Sequence, residues 1–140
     1  MPALLDTAVL VYCHDPRVPA KRRTAMRLVR DGLQRNDLRV PHQALVEFYA
    51  VVTRVSAGRA LMTAEEAARE VEEMLLGFEV LFPSAAVVRE ALRGRAAYGL
   101  SWFNAHLWAY AEHYGCEMLY SEDFQHGRVY GGVRVLNPFT

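Results

Sequence analysis

Short apolar runs alternate with longer segments whose apolar residues recur at helical spacing. Met1 to Leu5 reads as a short buried strand, and Thr7 to Tyr12 starts a helix that Asp15-Pro16 breaks. Pro19 opens a second helix, with Ala25, Met26, Leu28, Val29 and Leu33 on its apolar stripe. Asn36-Asp37 turns into a brief strand, Leu38 to Val40, closed by Pro41. Leu45, Phe48, Tyr49, Val52 and Val55 then form one helical stripe ending near Gly58. Glu47 lies about 200° from Leu45 around that helix at 100° per residue, so it need not face the core.

Thr63-Ala64-Glu65-Glu66 is a capping-box sequence, and Ala67, Val71, Met74 and Leu75 give the helix behind it an apolar face. Phe78 to Phe82 is strand-like. Pro83-Ser84 begins a helix carrying Val87, Val88, Ala91, Leu92 and Tyr98, which Gly99 ends. Ser101 caps another helix and Gly115 stops it. Met118 to Ser121 is a strand, a polar glycine-bearing loop follows, and Val133 to Leu136 is the last strand before Asn137-Pro138. Strand and helix alternate without repeats or an internal linker. The pattern predicts a single α/β domain over 1–140, a three-layer α/β/α sandwich with a mostly parallel central sheet.

Composition narrows the function classes. Of 140 residues, 52% are hydrophobic, which argues against disorder. The formal net charge of zero gives no support for non-specific binding to a polyanion. Lys21 is the only lysine among 16 basic residues, and Arg17, Lys21, Arg22, Arg23, Arg27 and Arg30 cluster. Arginine suits bidentate phosphate contacts, yet a solvated helix face is the simpler account of such a run. Cys13 and Cys116 have neither CxxC nor zinc spacing and read as small buried hydrophobes. The apolar N-terminus lacks a basic lead and contains Asp6, so a signal peptide is not expected. No apolar stretch reaches the length of a membrane span; the expected location is the cytoplasm.

The candidate chemistry sits where the apolar runs stop. Asp6 follows Ala3-Leu4-Leu5, Asp123 lies just past Met118 to Ser121, and Glu47 lies on the segment after Leu38 to Val40. Asn104 occupies a fourth such place, after Leu100-Ser101-Trp102-Phe103. In open α/β sheets the carboxyl ends of the strands form the ligand crevice. Carboxylates gathered there repel one another unless a hard divalent cation neutralises them.

Five segments carry a resemblance over nearly the whole length. They are Leu4 to Tyr12, Gln43 to Tyr49, Leu100 to Ala109, Leu119 to Gly127, and Val133 to Phe139. In order and spacing the set resembles PIN-domain proteins, specifically the VapC-type toxins of VapBC toxin–antitoxin pairs. The resemblance implies a metal-dependent ribonuclease in which Mg²⁺ or Mn²⁺ activates a water against an RNA phosphodiester. It makes Asp6 and Asp123 metal ligands and Glu47 a ligand or the orienter of the attacking water, with Asn104 completing the catalytic set. Thr7 is placed beside the cluster. The implied partners are an RNA substrate, a cognate antitoxin and a second copy of the chain in a homodimer.

Two departures bear on activity. Asn104 stands where the family pattern usually has aspartate, and Ala8 where a small polar residue is usual. Glu122 either restores the missing charge or faces solvent. A catalytically weakened binding module on the same fold is therefore the alternative reading. Single residues also have plain structural readings: Asp6 as a helix cap, Asn104 as a first-turn polar residue, His106 and His113 as packing or surface groups, and the aromatic run from Trp102 to Tyr114 as core or subunit contact rather than a base-stacking platform. Other parallel-sheet families fit less well. A dehalogenase-type phosphatase calls for aspartate at position 8, a phospho-receiver for a late lysine, and a nucleotide-binding fold for a glycine-rich first turn.

Overall fold

A computed structural model describes residues 2–140; Met1 of the expected first strand lies outside them. The elements, in chain order, are β1 (Ala3–Leu5), α1 (Thr7–Tyr12), α2 (Pro19–Arg35), β2 (Leu38–Pro41), α3 (His42–Val52), α4 (Ala64–Gly77), β3 (Glu79–Leu81), α5 (Ala85–Tyr98), α6 (Trp102–Tyr114), β4 (Met118–Tyr120), β5 (Val129–Tyr130) and β6 (Val133–Leu136). The six strands form one sheet in the order β3-β2-β1-β4-β6-β5. Every pairing is parallel except β5 with β6. This is the expected sandwich with a mostly parallel sheet.

Pleating divides the core in two, because successive side chains of a strand point to opposite faces. Ala3 and Leu5 of β1 pack with Val9, Leu10, Ala25, Leu45, Phe48, Ala67 and Met74 on the side of the first four helices. Leu4 points the other way, into a cluster with Val87, Ala91, Trp108, Leu119, Val133 and Val135. Burial on both faces is why these strands read as short continuous apolar runs rather than as alternating ones.

The helix signals hold. Thr63 and Glu66 form a complete capping box, Ser84 and Ser101 cap α5 and α6 with their side chains, and Asn36, Gly99 and Gly115 end helices in the left-handed conformation. Strand ends shift by a residue from the sequence reading: β3 is Glu79–Leu81 rather than 78–82, β4 ends at Tyr120 rather than Ser121, and β2 includes Pro41. Two differences are larger. The helix of the Leu45 stripe stops at Val52, and Val55 is exposed in the turn beyond it. The polar loop before β6 contains β5, a hairpin arm of two residues too short to register as a pattern.

Chain order explains where a site can form. From β1 the chain moves outward on one side through β2 to β3, then returns to lay β4 on the other side of β1. The strand order therefore reverses between β1 and β4, and the carboxyl ends of that pair open the crevice of a doubly wound sheet.

Candidate active site

Register brings the first pair of polar residues together. Leu5 pairs with Tyr120, the Asp6 amide donates to the Tyr120 carbonyl at 3.0 Å, and the next residues along, Asp6 and Ser121, then face each other. Ser121 Oγ donates to Asp6 Oδ2 at 2.5 Å and also accepts from the Asp123 amide at 3.1 Å. Asp6 occupies the cap position of α1, but its side chain makes no capping hydrogen bond. The simple helix-cap account of this residue is thereby set aside.

Glu47 comes from the second turn of α3, the helix that leaves the carboxyl end of β2. Thr7 Oγ1 donates to its Oε2 at 3.0 Å, and Gln43 Nε2, one turn earlier on the same helix, donates to Oε1 at 2.7 Å. Gln43 Nε2 also lies 3.3 Å from the Phe103 carbonyl oxygen, which ties α3 to the first turn of α6. That turn carries Asn104, half-buried, its amide capped by Ser101 Oγ.

Asp6, Thr7, Glu47 and Asp123 line one cavity of about 300 Å³, with Ala8 and Tyr12 on its wall. Asp6, Glu47 and Asp123 also line an adjoining cavity of about 380 Å³ that includes Gln43, Asn104 and Arg54. All the residues expected at the site therefore border one continuous crevice. Glu122 does not join them: it accepts from Lys21 Nζ at 2.8 Å and from Tyr12 Oη at 2.6 Å, so it neither faces solvent freely nor replaces the charge missing at Asn104. Ala8 offers Asp6 no hydrogen bond, and Ser121 supplies one instead.

Burial and mutual repulsion set the electrostatics of the crevice. Asp6 is 6% exposed, and burial pushes its carboxyl up to about 6 against the pull of the Ser121 hydroxyl; the charges of Asp123 and Glu47 add to the rise, while the Thr7 amide opposes it. Among the described residues, none of Asp6, Glu47 and Asp123 is in a salt bridge. Nor do any three Asp, Glu, His or Cys side chains there stand close enough together to grip a metal ion as placed. The donor chemistry nonetheless suits a hard divalent cation, since every group is oxygen and the anionic charge is uncompensated. Asp123 is exposed on its loop, so rotating its carboxylate toward Asp6 disturbs no packing.

The PIN domain family model matches residues 3–132. The chain belongs to the PIN domain family. Solved structures of similar fold include a toxin–antitoxin complex from Klebsiella pneumoniae, with 16% identity, a TM-score of 0.67 and 97% of each chain covered. A DNA-bound VapBC complex from Salmonella typhimurium aligns at 15% identity and a TM-score of 0.68 over 96% of each chain. A sarcin-ricin loop cleaving VapC toxin from Mycobacterium tuberculosis aligns at 16% identity and a TM-score of 0.60, covering 88% of this chain and 91% of that one. At such identities the likeness is one of fold. No curated protein sequence matches.

Within the PIN fold, the sequence reading missed the residues that hold the acidic groups rather than those groups themselves. Ser121 was legible in principle, being the first polar residue beyond a strand that neighbours β1. Gln43 had a weaker signal, its spacing of four from Glu47. Of the aromatic run on α6, Trp108 and Tyr110 are core, whereas Phe103 is 70% exposed and borders the crevice. No helix is long and apolar enough to cross a membrane among the described residues.

Proposed function

We propose that this PIN domain is a divalent-metal-dependent endoribonuclease, the VapC-type toxin of a toxin–antitoxin pair. The observation that carries the reading is the convergence of Asp6, Glu47 and Asp123, none of them ion-paired, on one crevice at the switch point of the sheet. Asp6 and Asp123, with Glu47, are the groups that would hold Mg²⁺ or Mn²⁺. A cation bound there lowers the pKa of a water and neutralises charge on a phosphodiester. Asp6 is anchored by Ser121, so its carboxylate is presented in one orientation. Glu47 has one hydrogen bond on each oxygen, from Thr7 and from Gln43, and is thereby positioned to accept a proton from a water or to orient it. Asn104 contributes a neutral amide at the crevice wall.

Incubating RNA with the purified protein and Mn²⁺, then with EDTA, tests this. Cleavage is expected only with the cation and is lost in Asp6→Ala. Cleavage that survives chelation, or that survives Asp6→Ala, would overturn the mechanism. An antitoxin partner belongs to the same reading, supported by the toxin–antitoxin complexes of similar fold, and a homodimer is expected with it. Asn104 favours a second reading, a weakened member retained to bind RNA or an antitoxin.

A further inference from the structure

A pocket of about 560 Å³ adjoins the acidic crevice, with Val11 and Val51 on the wall common to both. Three arginines line it: Arg17, Arg54 and Arg59. Arg54 also borders the part of the crevice that holds Asn104. The three cations differ in what holds them. Arg17 is gripped by Asp15 through two hydrogen bonds of 2.9 Å, so its charge is already answered. Arg54 and Arg59 form no salt bridge among the described residues.

Arg59 is not on a slack loop. Ser56 and Arg59 exchange both backbone hydrogen bonds, at 2.6 and 3.0 Å, across a turn whose central residues, Ala57 and Gly58, have φ of 54° and 77°. A left-handed alanine in a two-residue turn is an unfavourable conformation that the surrounding structure has to maintain. The turn places Arg59 on the pocket wall, together with Arg17 and Leu61.

A phosphate chain entering a crevice lined by Asp6, Glu47 and Asp123 meets repulsion on every side not occupied by a cation. On the Tyr12 side of the crevice, Lys21 is neutralised by Glu122. The two unpaired arginines stand on the Val51 side. We propose that this pocket binds the RNA strand beside the cleaved linkage, with Arg54 and Arg59 contacting a neighbouring backbone phosphate or a pair of them. The proposal rests on the ribonuclease reading for the identity of the strand, and it sets the side on which the substrate leaves the crevice.

Fluorescence anisotropy of a labelled single-stranded RNA in EDTA, over a series of salt concentrations, tests it without catalysis. For a single strand, each phosphate that the protein neutralises adds about 0.7 to the steepness of log K against log salt. The double variant Arg54→Ala/Arg59→Ala is expected to bind at least about 10-fold more weakly at low salt, with a slope shallower by roughly 1.4. Arg54→Lys/Arg59→Lys keeps the charge and is expected to keep the slope. Arg35→Ala removes one charge from the C-terminal end of α2, beside the amino end of the sheet, and is expected to leave the slope unchanged. A wild-type slope in the double alanine variant, or an equal decrease in Arg35→Ala, overturns the proposal, as does wild-type protein that binds no RNA. Mn²⁺-dependent hydrolysis of bis(p-nitrophenyl) phosphate, a diester with no neighbouring phosphate, separates the two ideas. The absence of that hydrolysis in the wild-type protein counts against the nuclease reading, while the salt slope still decides the pocket.

Discussion

Ser121 and Asp6, 115 positions apart in the chain, share a hydrogen bond of 2.5 Å across the seam between β1 and β4. The bond joins the two strands at the point where the sheet reverses its order, and both residues are buried. It favours the ionised form of a carboxyl that burial disfavours. Ser121→Ala is therefore expected to move the Asp6 titration above about 6 and to destabilise the fold by about 1–3 kcal/mol, the usual consequence of depriving a buried charged acceptor of its donor. A carboxyl-carbon NMR titration and urea unfolding measure the two effects. An unmoved Asp6 titration in Ser121→Ala would dissolve the coupling.

The raised Asp6 titration also sets a pH dependence of stability. A folded-state value of about 6 against 3.8 for the free side chain means that the native state holds the proton more tightly. The stabilisation this gives is complete below about pH 4 and is lost as pH rises through 6, leaving the ionised carboxylate as a burden at neutral pH. Asp6→Asn should thus be more stable than wild type at pH 8, by up to about 3 kcal/mol for a shift of this size, with the gap closing between pH 6 and pH 4. Divalent cations should shrink the gap at pH 8, because they take the proton's place. Urea unfolding at pH 4, 6 and 8, with and without Mn²⁺, reads all of this. A gap that widens toward low pH would contradict the sign.

Under the nuclease reading, Asn104 is the residue whose substitution is expected to raise activity most. It borders the same cavity as Asp6, Glu47 and Asp123, so an aspartate there adds a fourth carboxylate to the crevice. A unit charge about 4 Å from a divalent cation is worth about 8 kcal/mol at an effective dielectric of 20, before desolvation is subtracted. Asn104→Asp is expected to tighten Mn²⁺ binding by about 10-fold or more, to raise RNA cleavage, and to lower stability in EDTA through added repulsion. Calorimetric titration and cleavage assays measure these. If Mn²⁺ affinity rises while RNA remains intact, the binding-module reading gains over the nuclease.

The acidic residues were legible because each follows an apolar run, and runs that pair in parallel must end at one edge. What holds them was harder to see. Ser121 meets Asp6 only through the pairing of Leu5 with Tyr120, and strand register is a property of two distant segments. Glu122 shows the same limit: beside Asp123 in sequence, it turns to Lys21 and Tyr12 instead of the crevice, a choice made by α1 and α2. β5 escaped because two residues cannot display an alternation. The helix of the Leu45 stripe was drawn too long because Val55 has the right spacing but no partner to pack on.

Glu122 adds a prediction of its own. Burial pushes its carboxyl up, but hydrogen bonds from Lys21 and Tyr12 outweigh that and hold it below the usual value. Its contribution to stability is present above the unfolded-state value of 4.5 and is lost as pH falls further. Lys21→Met should lower the melting temperature at pH 7 and converge with wild type in acid. Because Glu122 adjoins Asp123, the same variant should weaken Mn²⁺ binding, whereas Tyr12→Phe, which leaves the Lys21 bond in place, should do so less. Equal Mn²⁺ affinities in wild type and Lys21→Met would show that the loop carrying Asp123 needs no such tether.

A close contact between two helices lies in the core that α5 and α6 share. Gly94 of α5 lies against the Trp108 ring of α6; a Cβ built at position 94 would come within 2.5 Å of the Trp108 ring carbons. Trp108 cannot yield easily. Its Nε1 donates to the Tyr130 carbonyl at 2.9 Å, and its ring meets Tyr98 edge-on. Intrinsic helix propensity alone would make Gly94→Ala stabilising by about 1 kcal/mol. Overpacking against a fixed indole typically costs about 1–3 kcal/mol and should dominate, giving a net loss of stability with a shifted near-UV signal from Trp108. Chemical denaturation and near-UV circular dichroism of Gly94→Ala test the sign. Because Asn104 and Phe103 lie about one turn before Trp108 on α6, the same shift should also disturb the Gln43 contact to the Phe103 carbonyl. A Gly94→Ala protein as stable as wild type would mean that α5 and α6 have slack the close approach denies.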